Sequence, residues 1–222
     1  MTKRLSIALA LFFTIAATTG CSNLTSAATE DPATATSRPI APSSPAEARR
    51  LTLPGDDWGY PSPFAFYSRG PGYIRMSLLF DTLTWKDEHG LIPWLAEAWT
   101  VSDDGTEWTF TLAPDVTWHD GRPLTAEDVA FTFEYFKAHQ GAFKWSWSVG
   151  KIDSTEVVDE ETVVLNLTEA VAGAHEGLIG SLPIIPQHIW EDVDDPGRLT
   201  TGAAVIGSGP FELVEYSREE GR

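Results

Sequence analysis

Carboxylates are the most abundant side chains in this 222-residue chain that could do chemistry, with 32 Asp and Glu against 15 Lys and Arg. Two carboxylates at a fixed separation are what a glycoside hydrolase needs, and the sequence alone leaves such a pair open. Acidic runs such as Glu191-Asp192-Val193-Asp194-Asp195 are, however, more typical of a solvated face. A secreted carbohydrate-active hydrolase therefore stays an alternative interpretation.

The motifs of nucleophilic and metal-assisted catalysis are not matched. Gly207-Ser208-Gly209 lacks the Gly-x-Ser-x-Gly spacing of a nucleophile elbow, and Asp103-Asp104-Gly105 lacks the alternating ligands of a calcium loop. A single cysteine excludes a disulfide framework and a Cys-rich metal site. We therefore expect a protein that is not an enzyme and that needs no metal and no cofactor. The histidines also lack the His-Glu-x-x-His spacing of a zinc site; they are His89, His119, His139, His175 and His188.

The overall charge and composition narrow the classes of partner. The net charge is −17, whereas nucleic acids and anionic membrane surfaces bind cationic footprints. We therefore expect no nucleic-acid partner. Hydrophobic residues make up 42% of the chain and include nine Trp and eleven Phe. A chain of this size buries about 70% of its extended surface when it folds, so this composition supports a well-packed core without disulfides.

The beginning of the chain has the order of a secretory signal. Lys3 and Arg4 precede an apolar run over residues 5–17, which is too short to span a bilayer as a helix. Thr18-Thr19-Gly20-Cys21 follows, and it resembles the lipobox of bacterial lipoproteins, in which cleavage precedes an acylated cysteine. We predict a lipoprotein signal peptide over residues 1–20 and a lipid on Cys21. An ordinary signal peptide with an unmodified thiol is the alternative.

The rest of the chain divides into a tether and a folded domain. Residues 21–49 are rich in Ala, Thr, Ser and Pro without an apolar period, which predicts a disordered tether behind the lipidated cysteine. Residues 50–222 are predicted to be one domain of mixed α/β structure. Its clearest elements are a strand over 107–112, with period-two alternation, and a helix over 125–138, with an apolar stripe. Further strands are predicted over 51–53, 82–85, 99–102, 157–159, 162–167 and 209–216, and short helices over 73–79, 174–180 and 186–193.

Six sequence blocks occur in a recognisable order. They are LFDTL at 79–83, PWLAEAW at 93–99, DGTEWTFTL at 104–112, WHDGRPLTAEDV at 118–129, IPQHIW at 185–190 and GSGPF at 207–211. This order resembles the extracytoplasmic solute-binding proteins of the oligopeptide, dipeptide and nickel importers, known as family 5. The resemblance implies a lobe of the type II periplasmic-binding-protein fold with a mixed sheet. Because family members are much longer, it also implies an incomplete fold. Residues 50–222 would be the N-terminal part of the solute-binding domain, made of the first lobe and its associated subdomain, and the second lobe would be absent.

The resemblance also implies which residues contact a solute. The irregular segment that lines the cleft in oligopeptide-binding relatives falls here on Phe66, Tyr67, Ser68, Arg69 and Gly70. The aromatic residues that follow the long helix are Phe143, Trp145 and Trp147, and the segment near the hinge contributes Ser208 and Gly209. A purely structural interpretation stays open for each of the three segments. Residues 66–70 could be a packed loop with a surface Arg, the aromatic residues after the long helix could be a core-facing strand edge, and residues 208–209 could be a turn that enters a strand.

The function that the resemblance implies is reversible capture without covalent chemistry. The solute, expected to be an oligopeptide, would be delivered to the permease subunits of an ABC importer. Nickel complexes and oligosaccharides are carried by other relatives. We expect the protein to be extracytoplasmic, periplasmic or at the cell surface, and held at the cell membrane by the lipid on Cys21. A non-catalytic extracellular interaction module is the remaining alternative.

Overall fold

The computed structural model describes residues 58–66, 71–142 and 149–217, all within one compact unit of the chain. The fold of these residues is mixed α/β, as the sequence predicts. No helix among them is long and apolar enough to cross a membrane. The predicted signal peptide, the tether and the strand at 51–53 lie outside the described residues.

The secondary structure alternates short helices with antiparallel strands. The helices are α1 (Pro71–Ser77), α2 (Ala126–Ala138) and α3 (Gln187–Trp190), with a π-helical turn at His175–Ile179 and 3₁₀ turns at Val149–Lys151, Pro196–Arg198 and Gly202–Val205. The strands are β1 (Thr84–Asp87), β2 (Gly90–Pro93), β3 (Ala96–Val101), β4 (Glu107–Leu112), β5 (Ile152–Val157) and β6 (Thr162–Leu167). The hairpin of β1 and β2 forms a small sheet, and the other four strands form a second sheet in the order β3-β4-β6-β5.

The larger sheet is organised around its central strand β4. Trp108 pairs with Leu165 of β6, and Phe110 pairs with Val163. Because side chains alternate across a strand, these four residues share one face, and all of them are buried. Helix α2 packs against β5 and β6, and this packing excludes water from the same region. The period-two prediction for residues 107–112 is confirmed.

The predicted long helix is also confirmed, one residue shorter at its start. Thr125 is the N-cap of α2, and Val129, Phe133 and Phe136 are each at most 1% exposed. Phe64 stacks on Phe136 with ring centroids 4.8 Å apart. The chain before α1 is thereby packed onto the helix at Phe64, two residues before Phe66.

Two strand predictions are wrong in position or type. The strand placed at 157–159 is β5 at Ile152–Val157, which gives β6 a partner of equal length; Val158 lies in the following turn and is 58% exposed. Residues 209–216 are not a strand. A segment becomes a strand only when a neighbouring strand pairs along it, and no strand of the described part pairs along this one. Val214 is accordingly 98% exposed.

Candidate functional site

Three of the predicted solute-binding residues can be placed in the structure: Phe66, Ser208 and Gly209. The others stay predictions, because they lie outside the described residues; they are Tyr67, Ser68, Arg69, Gly70, Phe143, Trp145 and Trp147, together with the proposed lipid site Cys21. The geometry of the site is therefore built from the two places that the structure describes, residues 207–210 and the surroundings of Phe66.

His119 fixes the backbone of Gly207 and Gly209. The backbone N–H of His119 donates to the Gly207 carbonyl at 2.8 Å, and the Gly207 N–H donates to Nδ1 of His119 at 3.1 Å. Nε2 of the same ring lies 2.9 Å from the Gly209 carbonyl oxygen. Because Nδ1 accepts a hydrogen bond, Nε2 must carry the proton and donate to Gly209. The network thus assigns a neutral imidazole that holds both glycines.

The opposite side of the same segment is pressed against the chain just after α1. The Gly209 N–H donates to the Leu79 carbonyl at 2.9 Å, and the Phe211 N–H donates to the Leu78 carbonyl at 3.2 Å. A Cβ added to Gly207 would lie 1.9 Å from the Leu79 carbonyl oxygen. Glycine is required at position 207 because two backbone segments touch there.

Ser208 lies between the two fixed glycines. Its Oγ is buried and has no hydrogen-bond partner among the described residues, although the residue as a whole is only half-buried. A hydroxyl can donate one hydrogen bond and accept two, and leaving a buried one unpaired costs about 1–3 kcal/mol. Because the oxygen is buried in this rotamer, a solute can bond to it only after the side chain turns about χ1.

A buried carboxylate, Asp128, positions the turn that carries His119. Its Oδ2 accepts from Trp118 Nε1 at 3.2 Å and from the backbone N–H of Thr125 at 3.1 Å. Its Oδ1 accepts from the backbone N–H of Gln187 at 2.9 Å. Asp128 is 7% exposed, so these three donors replace its water shell. One side chain thereby joins the turn before α2 to the start of α3.

A second, more exposed contact joins the same two regions. Oδ2 of Asp120 lies 2.8 Å from Nε2 of His188. Burial opposes the ionisation of Asp120, but the hydrogen bond from the Arg122 backbone N–H and the contact with His188 outweigh it, so the pKa of Asp120 lies below its ordinary value. Asp120 therefore stays a carboxylate at neutral pH and supports the turn that contains His119.

The surroundings of Phe66 contain a small cavity. The Phe66 ring lies 6.5 Å from the Tyr73 ring, centroid to centroid, and Tyr73 is in turn part of the wall of a cavity of about 210 Å³. Burial raises the pKa of the Tyr73 hydroxyl, which keeps the phenol protonated. The cavity is lined by Tyr73 of α1, by Thr84, Trp85, Lys86 and Leu91 of the β1–β2 hairpin, and by His175 and Gly180 near the π-helical turn.

Helix α1 connects the two places. Tyr73 in its first half faces Phe66 and the cavity, while the carbonyls of Leu78 and Leu79, just beyond its end, receive the N–H groups of Phe211 and Gly209. The structure thus ties two of the three predicted segments to one short helix. No group of three His, Cys, Asp or Glu side chains within the described ranges could hold a metal ion.

One residue of the candidate site acts through tertiary contacts that the sequence does not indicate. His119 belongs to the block at 118–129 and lacks zinc spacing, but its partners Gly207 and Gly209 lie 88 and 90 positions away along the chain. No local pattern signals such contacts, because they depend on how distant segments pack.

Comparison with known proteins identifies relatives for most of the described region. The sequence profile of "Bacterial extracellular solute-binding proteins, family 5 Middle" matches residues 90–221. The chain is 31% identical over 158 residues to the "Probable peptide-binding protein YejA" of Agrobacterium fabrum, covering 68% of this chain and 25% of that protein. The chain therefore spans about a quarter of the length of this curated relative.

Solved structures give the same fold. NikZ from Campylobacter jejuni in complex with Ni(L-His) superimposes with a TM-score of 0.57 and 30% identity, covering 64% of this chain and 29% of that one. A periplasmic oligopeptide-binding protein of Thermotoga maritima with bound mannohexaose gives a TM-score of 0.59 and 28% identity, covering 76% and 30%. The curated relative is named for binding peptides, whereas the two solved structures hold a nickel complex and a hexasaccharide.

Proposed function

Because the chain belongs to the bacterial extracellular solute-binding proteins of family 5, we propose that it is part of the solute-binding component of an ABC importer. It captures an oligopeptide outside the cytoplasm and delivers it to the permease subunits, without covalent chemistry. The length that the relatives have beyond this chain would supply a facing lobe, which closes on the solute.

The observation that carries this proposal is the fixed segment around Ser208. His119 and the chain after α1 hold Gly207 and Gly209 from two sides, and the hydroxyl between them has no partner among the described residues. A polar group that is held in place before the ligand arrives loses little entropy on binding. Such a group suits a surface that binds a solute by hydrogen bonds to its backbone.

An oligopeptide is the solute that the comparisons favour. The curated relative from Agrobacterium fabrum is named as a peptide-binding protein, whereas the two structural relatives hold a nickel complex and a hexasaccharide. In this proposal Phe66 and the adjoining residues 67–70 pair with the peptide backbone. Phe143, Trp145 and Trp147 offer rigid aromatic contacts, which bind varied side chains at low entropic cost.

We also propose that Cys21 carries a lipid that holds the protein at the outer face of the cell membrane. The support is the order of basic, apolar and small residues that ends at the single cysteine. Cys21→Ala should release the protein into the periplasm or medium and abolish labelling with radioactive palmitate. Unchanged membrane retention of the variant would contradict the anchor without affecting the solute proposal.

Thermal unfolding of the 222-residue chain tests the function. A mixture of tri- to pentapeptides at tenfold excess over the dissociation constant should stabilise the chain by about 1.4 kcal/mol, which raises the melting temperature by about 3–6 °C. Mannohexaose and nickel–histidine should have smaller effects. The peptide-induced rise in melting temperature should be smaller in Ser208→Ala than in wild type. It should be unchanged in Ser154→Ala, whose residue is exposed on the edge strand β5.

Two results would contradict the proposed function. If mannohexaose or nickel–histidine raised the melting temperature and peptides did not, the solute would belong to a different chemical class from the one proposed. Hydrolysis of any of these compounds by the pure protein would support an enzyme instead.

A further inference from the structure

The two most exposed tryptophans of the described residues lie side by side on the β1–β2 hairpin. Trp85 is 38% exposed and Trp94 is 46% exposed. Trp85 pairs with Ile92 across the hairpin, and Trp94 follows Ile92 by two positions, so the three side chains share one face of the hairpin. Tryptophan is highly buried on average and is among the residues most enriched in the hot spots of protein interfaces. This face is therefore a candidate interaction surface.

The tryptophan pair, Trp85 and Trp94, presents one joint aromatic surface. The ring centroids lie 6.0 Å apart, and the ring planes are tilted by 36°. A group held between two aromatic faces needs a gap of about 7 Å, because each contact takes about 3.5 Å, so a partner lies over these rings and not between them. The indole N–H of Trp94 donates to Oδ1 of the buried Asp81 at 2.7 Å. The polar group of this ring is thus already paired, and the ring offers a partner its π surface.

The charges around the tryptophan pair are mainly negative. Residues 81–97 contain four carboxylates and one lysine. Asp87 is exposed and follows Trp85 by two positions, so it lies on the same face, whereas Lys86 lies on the opposite face and lines the cavity. The face of an aromatic ring also carries negative potential. Ring faces bordered by a carboxylate attract a cation.

The shape and charge of this surface favour an arginine of another protein. A guanidinium group is planar and weakly hydrated, and it stacks on aromatic faces. Sites for small molecules are concave, whereas these two rings stand exposed on a hairpin. An anionic membrane surface attracts cationic patches and does not match the carboxylates beside the rings.

We propose that the tryptophan pair docks a basic segment of a partner protein, which places an arginine side chain over Trp85 and Trp94 and beside Asp87. Trp85 and Trp94 contact the guanidinium, Asp81 holds Trp94 in one orientation, and Asp87 supplies the opposite charge. The inference goes beyond the proposed function, because it assigns a surface for a protein partner and does not depend on the nature of the solute.

Two blocked pentapeptides serve as probes of the 222-residue chain. Each has a single central residue among glycines, which is arginine in one peptide and glutamine in the other. Binding is followed by the NMR signals of the indole N–H groups. The arginine peptide should shift the signals of Trp85 and Trp94 and should bind about two- to fivefold more tightly than the glutamine peptide, the ratio that an exposed cation–π contact provides.

Four variants identify the residues responsible. Trp85→Ala should remove the preference for arginine, and Trp85→Phe should keep part of it, because Phe binds cations less well than Trp. Asp87→Asn keeps an oxygen that can accept from the His89 N–H, now 2.7 Å from Oδ1, but removes the charge, so it should weaken binding of the arginine peptide alone. Val157→Ala is the matched control, because Val157 is also 38% exposed, and both affinities should be unchanged. Equal affinity of wild type for the two peptides, or a preference that survives Trp85→Ala, would overturn the proposal.

Two further titrations separate this surface from the solute site and from a lipid surface. When tri- to pentapeptides without Arg or Lys saturate the solute site, the arginine peptide should still shift Trp85 and Trp94. Loss of these shifts would assign the arginine to the solute and overturn the docking surface. Phosphatidylcholine vesicles should leave both signals unchanged, and shifts with vesicles would overturn the proposal in favour of a lipid headgroup. A chain that keeps the arginine preference but binds no solute peptide would contradict the proposed function and leave the docking surface standing.

Discussion

Replacing Gly207 by alanine should destabilise the chain by about 3 kcal/mol or more. The new Cβ would lie 1.9 Å from the Leu79 carbonyl oxygen and 2.7 Å from the Leu79 carbonyl carbon. These are backbone atoms, which a rotamer change cannot move away. The segment must therefore shift and lose its bonds with His119 at both Gly207 groups. The melting temperature should fall by about 6–12 °C, as followed by circular dichroism.

Gly202→Ala is the matched control for this substitution. Nothing lies within 4 Å of the position that its Cβ would occupy, and the residue is exposed at the start of a 3₁₀ turn. It should change stability by less than about 0.5 kcal/mol. If Gly207→Ala melts at the wild-type temperature, the close approach of the two backbone segments is not a property of the protein.

Asp128→Ala should lower the free energy of unfolding by a comparable amount, about 3–5 kcal/mol. The substitution removes the acceptor of three donors at once: Trp118 Nε1 at 3.2 Å, the Thr125 N–H at 3.1 Å and the Gln187 N–H at 2.9 Å. It also removes a negative charge from the first turn of α2, where it interacts favourably with the helix dipole. Denaturant unfolding should show a lower midpoint with an unchanged slope.

Two neighbouring variants show whether the three bonds are responsible. Asp128→Asn keeps one carbonyl acceptor but turns an NH₂ group towards donors, so its cost should be intermediate. Glu127→Ala removes a charge from the same turn at an exposed position and should cost less than about 1 kcal/mol. If Asp128→Ala and Glu127→Ala were equally mild, the three bonds would not hold the turn that carries His119.

The elements that could be predicted from sequence are those whose pattern is local. In α2 the stripe of Val129, Phe133 and Phe136 follows the helical period, and all three residues are buried. In β4 the alternation of Trp108, Phe110 and Leu112 gives one buried face. Residues 209–216 are also predicted as a strand from their apolar content, yet they form no strand. The difference is the neighbour: β4 pairs on both sides, and no strand of the described part pairs with the last segment.

The candidate site likewise has residues that a local sequence block indicates and contacts that only the folded chain shows. Ser208 and Gly209 can be singled out from the sequence because they belong to a block that resembles the family, and their contact with a solute stays a prediction. Their fixation by His119 could not be predicted, because the ring reaches across 88 and 90 positions to Gly207 and Gly209. The cavity is a further case, since α1, the hairpin and the π-helical turn each contribute to its wall. Such sites exist only after distant elements have packed.

The most direct measurement of the central claim is the peptide titration read residue by residue. A ¹⁵N-labelled chain is titrated with the peptide mixture, and the amide shifts are followed to saturation. The account predicts saturating shifts at Phe66, Ser208 and Gly209 that are weakened in Ser208→Ala. The account would be contradicted by amide shifts confined to the exposed face of the β3-β4-β6-β5 sheet. It would also be contradicted if no amide shifted at the highest peptide concentration that stays in solution.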